Sequence, residues 1–149
     1  MVKFAVGDML QGIYPFNADI YLVTTNSTLN NKKELVMGAG SAKQLANKVP
    51  ETPRLFGKYI DANKKEYYGL IILEEYGVGA FQTKTNWRNK STVELIEYST
   101  NLLFSYSIAR PSIVIYLTYP GVGLGGLSKD VVRPIIEKLP DTVTIWSLN

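Results

Sequence analysis

Apolar residues along this chain come in short blocks separated by polar and glycine-bearing stretches, and the period changes from block to block. Continuous or alternating apolar blocks predict strands at 3–6, 19–24, 67–73, 77–82, 113–117 and 142–146. The block Asp19-Ile20-Tyr21-Leu22-Val23-Thr24 has no polar alternation, which suits a central strand buried on both faces. The blocks at 67–73 and 77–82 are close enough to pair as a hairpin. Helical spacing runs through Ala42, Leu45, Ala46 and Val49 until Pro50 ends it. A second helix opens with Thr52 as N-cap and Pro53 in the first helical position, and carries a stripe of Leu55, Phe56, Tyr59 and Ile60. The third, behind a Ser91-Thr92-Val93-Glu94 capping box, places Leu95, Ile96, Ser99, Leu102, Leu103 and Tyr106 on one face before Pro111. A last helix is predicted over 129–139, with Pro134 causing a kink or a tight first turn. The polar stretch at 28–35 has no periodicity and reads as a loop. Strands alternating with helices predict a three-layer α/β/α fold around a mixed, mostly parallel six-stranded sheet.

Length and composition narrow the chemistry. A chain of 149 residues with 46% hydrophobic content suits a single compact domain over 1–149, with a monomer as the simplest expectation. It has no cysteine, so disulfides, thiol nucleophiles and thiolate metal sites are excluded. It has no histidine either, so any catalysis lacks an imidazole base, and neither a metal nor another cofactor is expected. No apolar run approaches the ~20 residues of a membrane span, and the first residues lack a signal-peptide core, so the expectation is no membrane partner and a cytoplasmic protein, in the host cytoplasm if viral. A net charge of +3 favours an anionic ligand and falls short of a dedicated nucleic-acid binder.

Two glycine-bearing corners hold the candidate chemistry. Tyr119-Pro120-Gly121-Val122-Gly123-Leu124-Gly125-Gly126-Leu127 joins the predicted fifth strand to the last helix. Glycines at such a corner allow backbone N–H groups to turn toward a phosphate that the following helix N-terminus also attracts. Val36-Met37-Gly38-Ala39-Gly40-Ser41-Ala42 also leads into a helix, so the two loops could face each other across a diphosphate. The plainer alternative is that the glycines only make turns. Gly121, Gly123 and Gly126 satisfy G-x-G-x-x-G, yet a dinucleotide-binding fold uses that corner in its first βα unit, whereas here one helix and one strand follow. The Walker pattern is absent. The polar string Thr25-Asn26-Ser27 leaves the central strand where open α/β sheets place ligands, and Thr83 to Lys90 form a basic loop around Trp87. That indole could be folded onto the core of a solvated connection, or could serve with Lys84, Arg88 and Lys90 as a short nucleic-acid patch.

Taken in order, Gly7-Asp8, Ala18-Asp19-Ile20 through Thr24-Thr25-Asn26-Ser27, Met37-Gly38-Ala39-Gly40-Ser41-Ala42 and Pro120 to Leu127 resemble the macro domains, an ADP-ribose-binding family, over nearly the whole chain. The segment Phe81-Gln82-Thr83-Lys84-Thr85-Asn86-Trp87-Arg88 is similar to that of the DarG-like DNA ADP-ribosyl glycohydrolases and small phage-encoded macro-domain proteins. The resemblance implies that Asp8, with Met9 beside it, binds the adenine. It also implies that Asn26, preceded by Thr25, reaches the distal ribose, and that Gly38, Ala39, Gly40, Ser41 and Ala42 line that ribose and the diphosphate. Pro120, Gly121, Val122, Gly123, Leu124, Gly125 and Gly126 would clamp the phosphates. Lys84 matches the lysine that this branch uses to remove ADP-ribose from DNA, which makes Lys84 and Asn26 the catalytic candidates. Departures are Gly125 where related protein hydrolases carry an acid, Met37-Gly38-Ala39-Gly40 in place of a triple glycine, and Thr25-Asn26 in place of Ala-Asn. The implied function is binding of ADP-ribose or a derivative, with removal from DNA or protein, or hydrolysis of ADP-ribose 1″-phosphate, as the catalytic extension. The alternative is a non-catalytic binder, such as a phage counter-defence factor that sequesters the ligand.

Overall fold

The computed structural model describes residues 1–11 and 17–149. In chain order its elements are β1 (Lys3–Val6), β2 (Ile20–Thr25), α1 (Gly40–Lys48), α2 (Thr52–Asn63), β3 (Leu70–Leu73), β4 (Val78–Gln82), α3 (Val93–Ala109), β5 (Ile115–Thr118), a 3₁₀ turn (Gly123–Gly125), α4 (Lys129–Ile136) and β6 (Val143–Ser147). The strands form one sheet in the order β1-β6-β5-β2-β4-β3, parallel throughout except for β3. The mixed, mostly parallel six-stranded sheet and its central β2 are therefore as the sequence predicts.

Strand parity divides the core into two halves. In β2, Tyr21 and Val23 pack with Leu45, Phe56 and Ile60 of α1 and α2, while Ile20 and Leu22 pack with Ile96, Leu103, Val132 and Ile136 of α3 and α4. Each face thus buries its own helical layer, and that burial dominates the stability: full burial of one such side chain is worth about 1.5–3 kcal/mol. A strand buried on both sides has no solvent face, which explains why the 19–24 block is continuously apolar.

Several element boundaries differ from the sequence expectation. β3 begins at Leu70, because the Gln82 side-chain carbonyl accepts from the N–H groups of Tyr68 and Gly69, both at 2.9 Å, in place of a strand partner. The N-cap of α3 is Thr92, whose hydroxyl accepts from Leu95 N, so the Ser91/Glu94 capping box does not form. Ser91 is drawn away by its N–H donating 2.9 Å to Gly125 O in the glycine corner. Thr52 and Pro53 lie inside α2 with Glu51 as N-cap, and the Thr52 hydroxyl donates to Val49 O, tying the helix to its predecessor. Pro134 sits in the last turn of α4, which stops at Ile136 instead of 139.

On α3 the predicted face buries Leu95, Ile96, Ser99 and Leu103, but the helix is not one-sidedly apolar: Tyr98, Phe104 and Ile108 point outward, while Thr100 and Ser107 are buried as well. Small side chains let the helix approach the sheet, and Ser99 Oγ donates 2.7 Å to Gln82 O at the end of β4. The 28–35 stretch is more ordered than its polarity suggests. Leu29 and Leu35 bridge, and Leu35 is fully inside the core.

Candidate functional site

The carboxyl ends of all five parallel strands open into one cleft of about 970 Å³. Gly7 and Asp8 follow β1, Asn26 follows β2, Thr83 and Lys84 follow β4, the second glycine corner follows β5, and Ser147 closes β6; each lines the cleft. From β1 to β4 the sheet order covers four strand spacings, roughly 19 Å at about 4.8 Å each. That span suits an extended ligand with different chemistry at its two ends.

At the β1 end, the Asp8 carboxylate accepts from Leu10 N at 3.2 Å and from Gln44 Nε2 at 3.2 and 2.9 Å. Met9 is buried in the core beneath it and also borders the cleft. Trp146 and Tyr119 contribute apolar wall nearby.

At the β2 end, Asn26 is held by its own side chain. Nδ2 donates 3.0 Å to Val36 O and Oδ1 accepts 2.8 Å from Thr28 N, which locks the amide's orientation to the loop carrying the first glycine corner. Beneath it, Tyr68 OH donates 2.5 Å to Asn26 O. That carbonyl can only accept, so the Thr25 hydroxyl must be the donor in its 2.5 Å contact with Tyr68 Oη. Burial raises the Tyr68 phenol well above its usual range, and the Thr25 bond only partly opposes this. Tyr68 is therefore a fixed neutral strut, not an acid.

Lys84 is half-buried at the cleft wall, and desolvation lowers its pKa below the ordinary lysine value. It belongs to none of the ion pairs among the described residues. Trp87 is not folded onto the core: it is 48% exposed at the rim, with the Arg88 guanidinium carbon 4.9 Å from its ring centroid. Its backbone N–H donates to Thr28 Oγ1, linking the basic loop to the segment behind Asn26.

The two glycine corners face each other, since a Cβ built on Gly40 would lie 3.8 Å from Leu124. Gly38, Ala39, Gly40, Ser41 and Ala42 line one side, and Gly121, Val122, Gly123, Leu124 and Gly125 the other. At Gly123, φ is +65° and a Cβ would meet nothing within 4 Å. Its lack of a side chain therefore serves the left-handed backbone and the open cleft, not packing. Pro120 is buried behind the loop, and Gly126 packs on the Lys90 side chain; neither lines the cleft. Thr25 does line it, although its hydroxyl is directed at Tyr68.

Gln44, Ser91, Thr118, Lys129 and Trp146 also line the cleft and escaped the sequence reading. Gln44 lies one turn past Gly40, so helical spacing from the first corner could have found it; Thr118 and Lys129 flank the second corner and Ser91 follows the basic loop, whereas Trp146 arrives from the distant last strand and left no local signal. Asp8 is the single carboxylate residue among the described lining, set against Lys84 and Lys129. No group of three or more metal-ligating acids exists among the described residues, and no helix among them is long and apolar enough to cross a membrane.

No protein-family model matches the sequence, and no curated protein matches it. Solved structures do. Thermosipho africanus DarTG in complex with ADP-ribose superposes at a TM-score of 0.76 with 20% identity, covering 97% of this chain, which spans 41% of that one. The macrodomain of Mycobacterium tuberculosis DarG gives 0.74 at 22% identity over 98% of this chain and 97% of the other. The macrodomain of Thermus aquaticus DarG gives 0.72 at 22% over 98% and 96%. The chain has the macrodomain fold, as its order of motifs implied.

Proposed function

We propose that this macrodomain-fold chain binds ADP-ribose or an ADP-ribose derivative in the cleft at the carboxyl ends of its strands, and that Lys84 and Asn26 act on the ribose end. The observation that carries the reading is that one cleft gathers Asp8, both glycine corners, Asn26 and Lys84 along a sheet edge of ligand length. The ADP-ribose complex of a protein with the same fold supports it. Asp8 would accept from the adenine amine, the facing corners would hold the diphosphate with their backbone N–H groups, and Asn26 would fix the distal ribose.

Removing ADP-ribose from a modified base passes through an oxocarbenium-like state, which needs nearby charge stabilisation and a nucleophile or positioned water. A desolvated lysine amine is suited to the nucleophile's role, because burial favours the neutral form that carries the lone pair, and Lys84 is desolvated. Trp87 and Arg88 at the rim would receive the portion of a modified nucleic acid outside the cleft.

Calorimetry with ADP-ribose tests the binding: absence of heat at millimolar ligand would sink it. Gly123→Glu should abolish the heat, because the new carboxylate enters the space meant for phosphate. Mass spectrometry after incubation with ADP-ribosylated DNA, ADP-ribosylated protein and ADP-ribose 1″-phosphate identifies the substrate. A second reading, capture without turnover, is favoured by the lack of any lining carboxylate other than Asp8, which leaves no general acid beside Lys84 among the described residues. Tight binding with all three substrates unchanged would establish it.

A further inference from the structure

We propose that Gln44, on α1, is a positioning residue that turns Asp8 into a reader of the amino group at position 6 of the bound purine; this rests on the binding reading above. A carboxylate is acceptor-only, so the amide must present its NH₂ to Asp8, which fixes the Gln44 orientation as well. Oδ1 already receives both Leu10 N and Gln44 Nε2, each at 3.2 Å, whereas Oδ2 receives only Gln44 at 2.9 Å. The remaining acceptor capacity therefore lies on Oδ2, on a side chain that cannot rotate without breaking three contacts.

Both residues line the cleft, and Gln44 comes from the helix that the first glycine corner opens. The corner that would hold phosphate and the acid that would read the base are thereby placed by one rigid element. A group that donates from position 6 finds a prepared acceptor; a carbonyl there meets a carboxylate with no proton between them. Selectivity follows from a fixed acceptor, because an Asp8 free to change rotamer could swing away from the mismatched base.

The experiment compares calorimetric affinities for ADP-ribose and for its hypoxanthine counterpart, which differ only in the base. The unaltered chain should prefer ADP-ribose by roughly tenfold or more. Gln44→Leu should reduce that preference to within about threefold, the residue of a single unpositioned hydrogen bond. Gln44→Glu, nearly the same size, should do the same by repelling Asp8, and answers the question if the leucine variant does not fold. An unchanged or larger preference in the variants overturns the assignment while leaving the ADP-ribose reading intact. Equal weakening of both ligands overturns it too, since that is what a merely structural role would produce. No binding of ADP-ribose by the unaltered chain overturns the site reading and this assignment together.

Discussion

Lys84 is the residue whose surroundings change what its type can do. Its folded pKa lies below the unfolded 10.5 because burial disfavours the charged amine. Between those two values the unfolded chain holds more protons, so this group makes stability rise with pH through that window and contributes no change below it. If the neutral amine is the nucleophile, turnover should climb with pH and level off at an apparent pKa below 10.5. Lys84→Ala and Lys84→Arg should both lose turnover by orders of magnitude while keeping ADP-ribose affinity, because guanidinium is never neutral in this range. A phosphate contact would behave otherwise: the arginine variant would retain affinity and the alanine variant would lose it, most at low salt. pH–rate profiles of the three chains separate these outcomes. The sequence points to Lys84 through its motif, but not to its desolvation, which depends on how the β4 end and the basic loop fold against the cleft.

At the scale of elements, the clearest test is Gly57 within α2. Alanine in a helix interior ordinarily gains up to about 1 kcal/mol over glycine. Here a Cβ would lie 2.1 Å from Lys33 O and 2.8 Å from Glu34 Cα, both backbone atoms that cannot rotate aside. Gly57→Ala should therefore destabilise by on the order of 1–3 kcal/mol, reversing the propensity sign, as measured by urea unfolding. The same segment continues to Val36, whose carbonyl anchors Asn26, so calorimetry should show a weaker ADP-ribose affinity as well. Periodicity located α2, but of its stripe only Phe56 and Ile60 are buried: Leu55 is half-buried and Tyr59 is 42% exposed, because the helix is turned to bring Thr52 and Gly57 inward. What it could not show is that the polar stretch at 28–35 is a packed strap with Leu35 in the core, since its burial depends on contact with α2. The capping box at Ser91 misled for a similar reason: a distant carbonyl, Gly125 O, claims Ser91 N–H and moves the cap to Thr92.

For the whole molecule, ligand binding to the folded state alone must raise its melting temperature. At a hundredfold excess over Kd the gain is about 2.7 kcal/mol, which for a chain of this length corresponds to a shift of roughly 5–10 °C. Thermal unfolding with ADP-ribose should show that shift in the unaltered chain and none in Gly123→Glu. By itself the sequence determined the strands and helices with their approximate limits, the central place of β2 and the two glycine corners, because periodicity, breakers and turn chemistry act over a few residues. Resemblance extended this to Asp8, Asn26 and Lys84 as a set. Tertiary structure alone decided that Gln44 holds Asp8, that Tyr68 braces Asn26 and Thr25, that Trp87 stands at the rim and that Pro120 and Gly126 fall outside the lining. Each of those facts joins segments far apart in the chain or depends on which way a side chain turns, and both are set by sheet order and packing, not by the residues on either side.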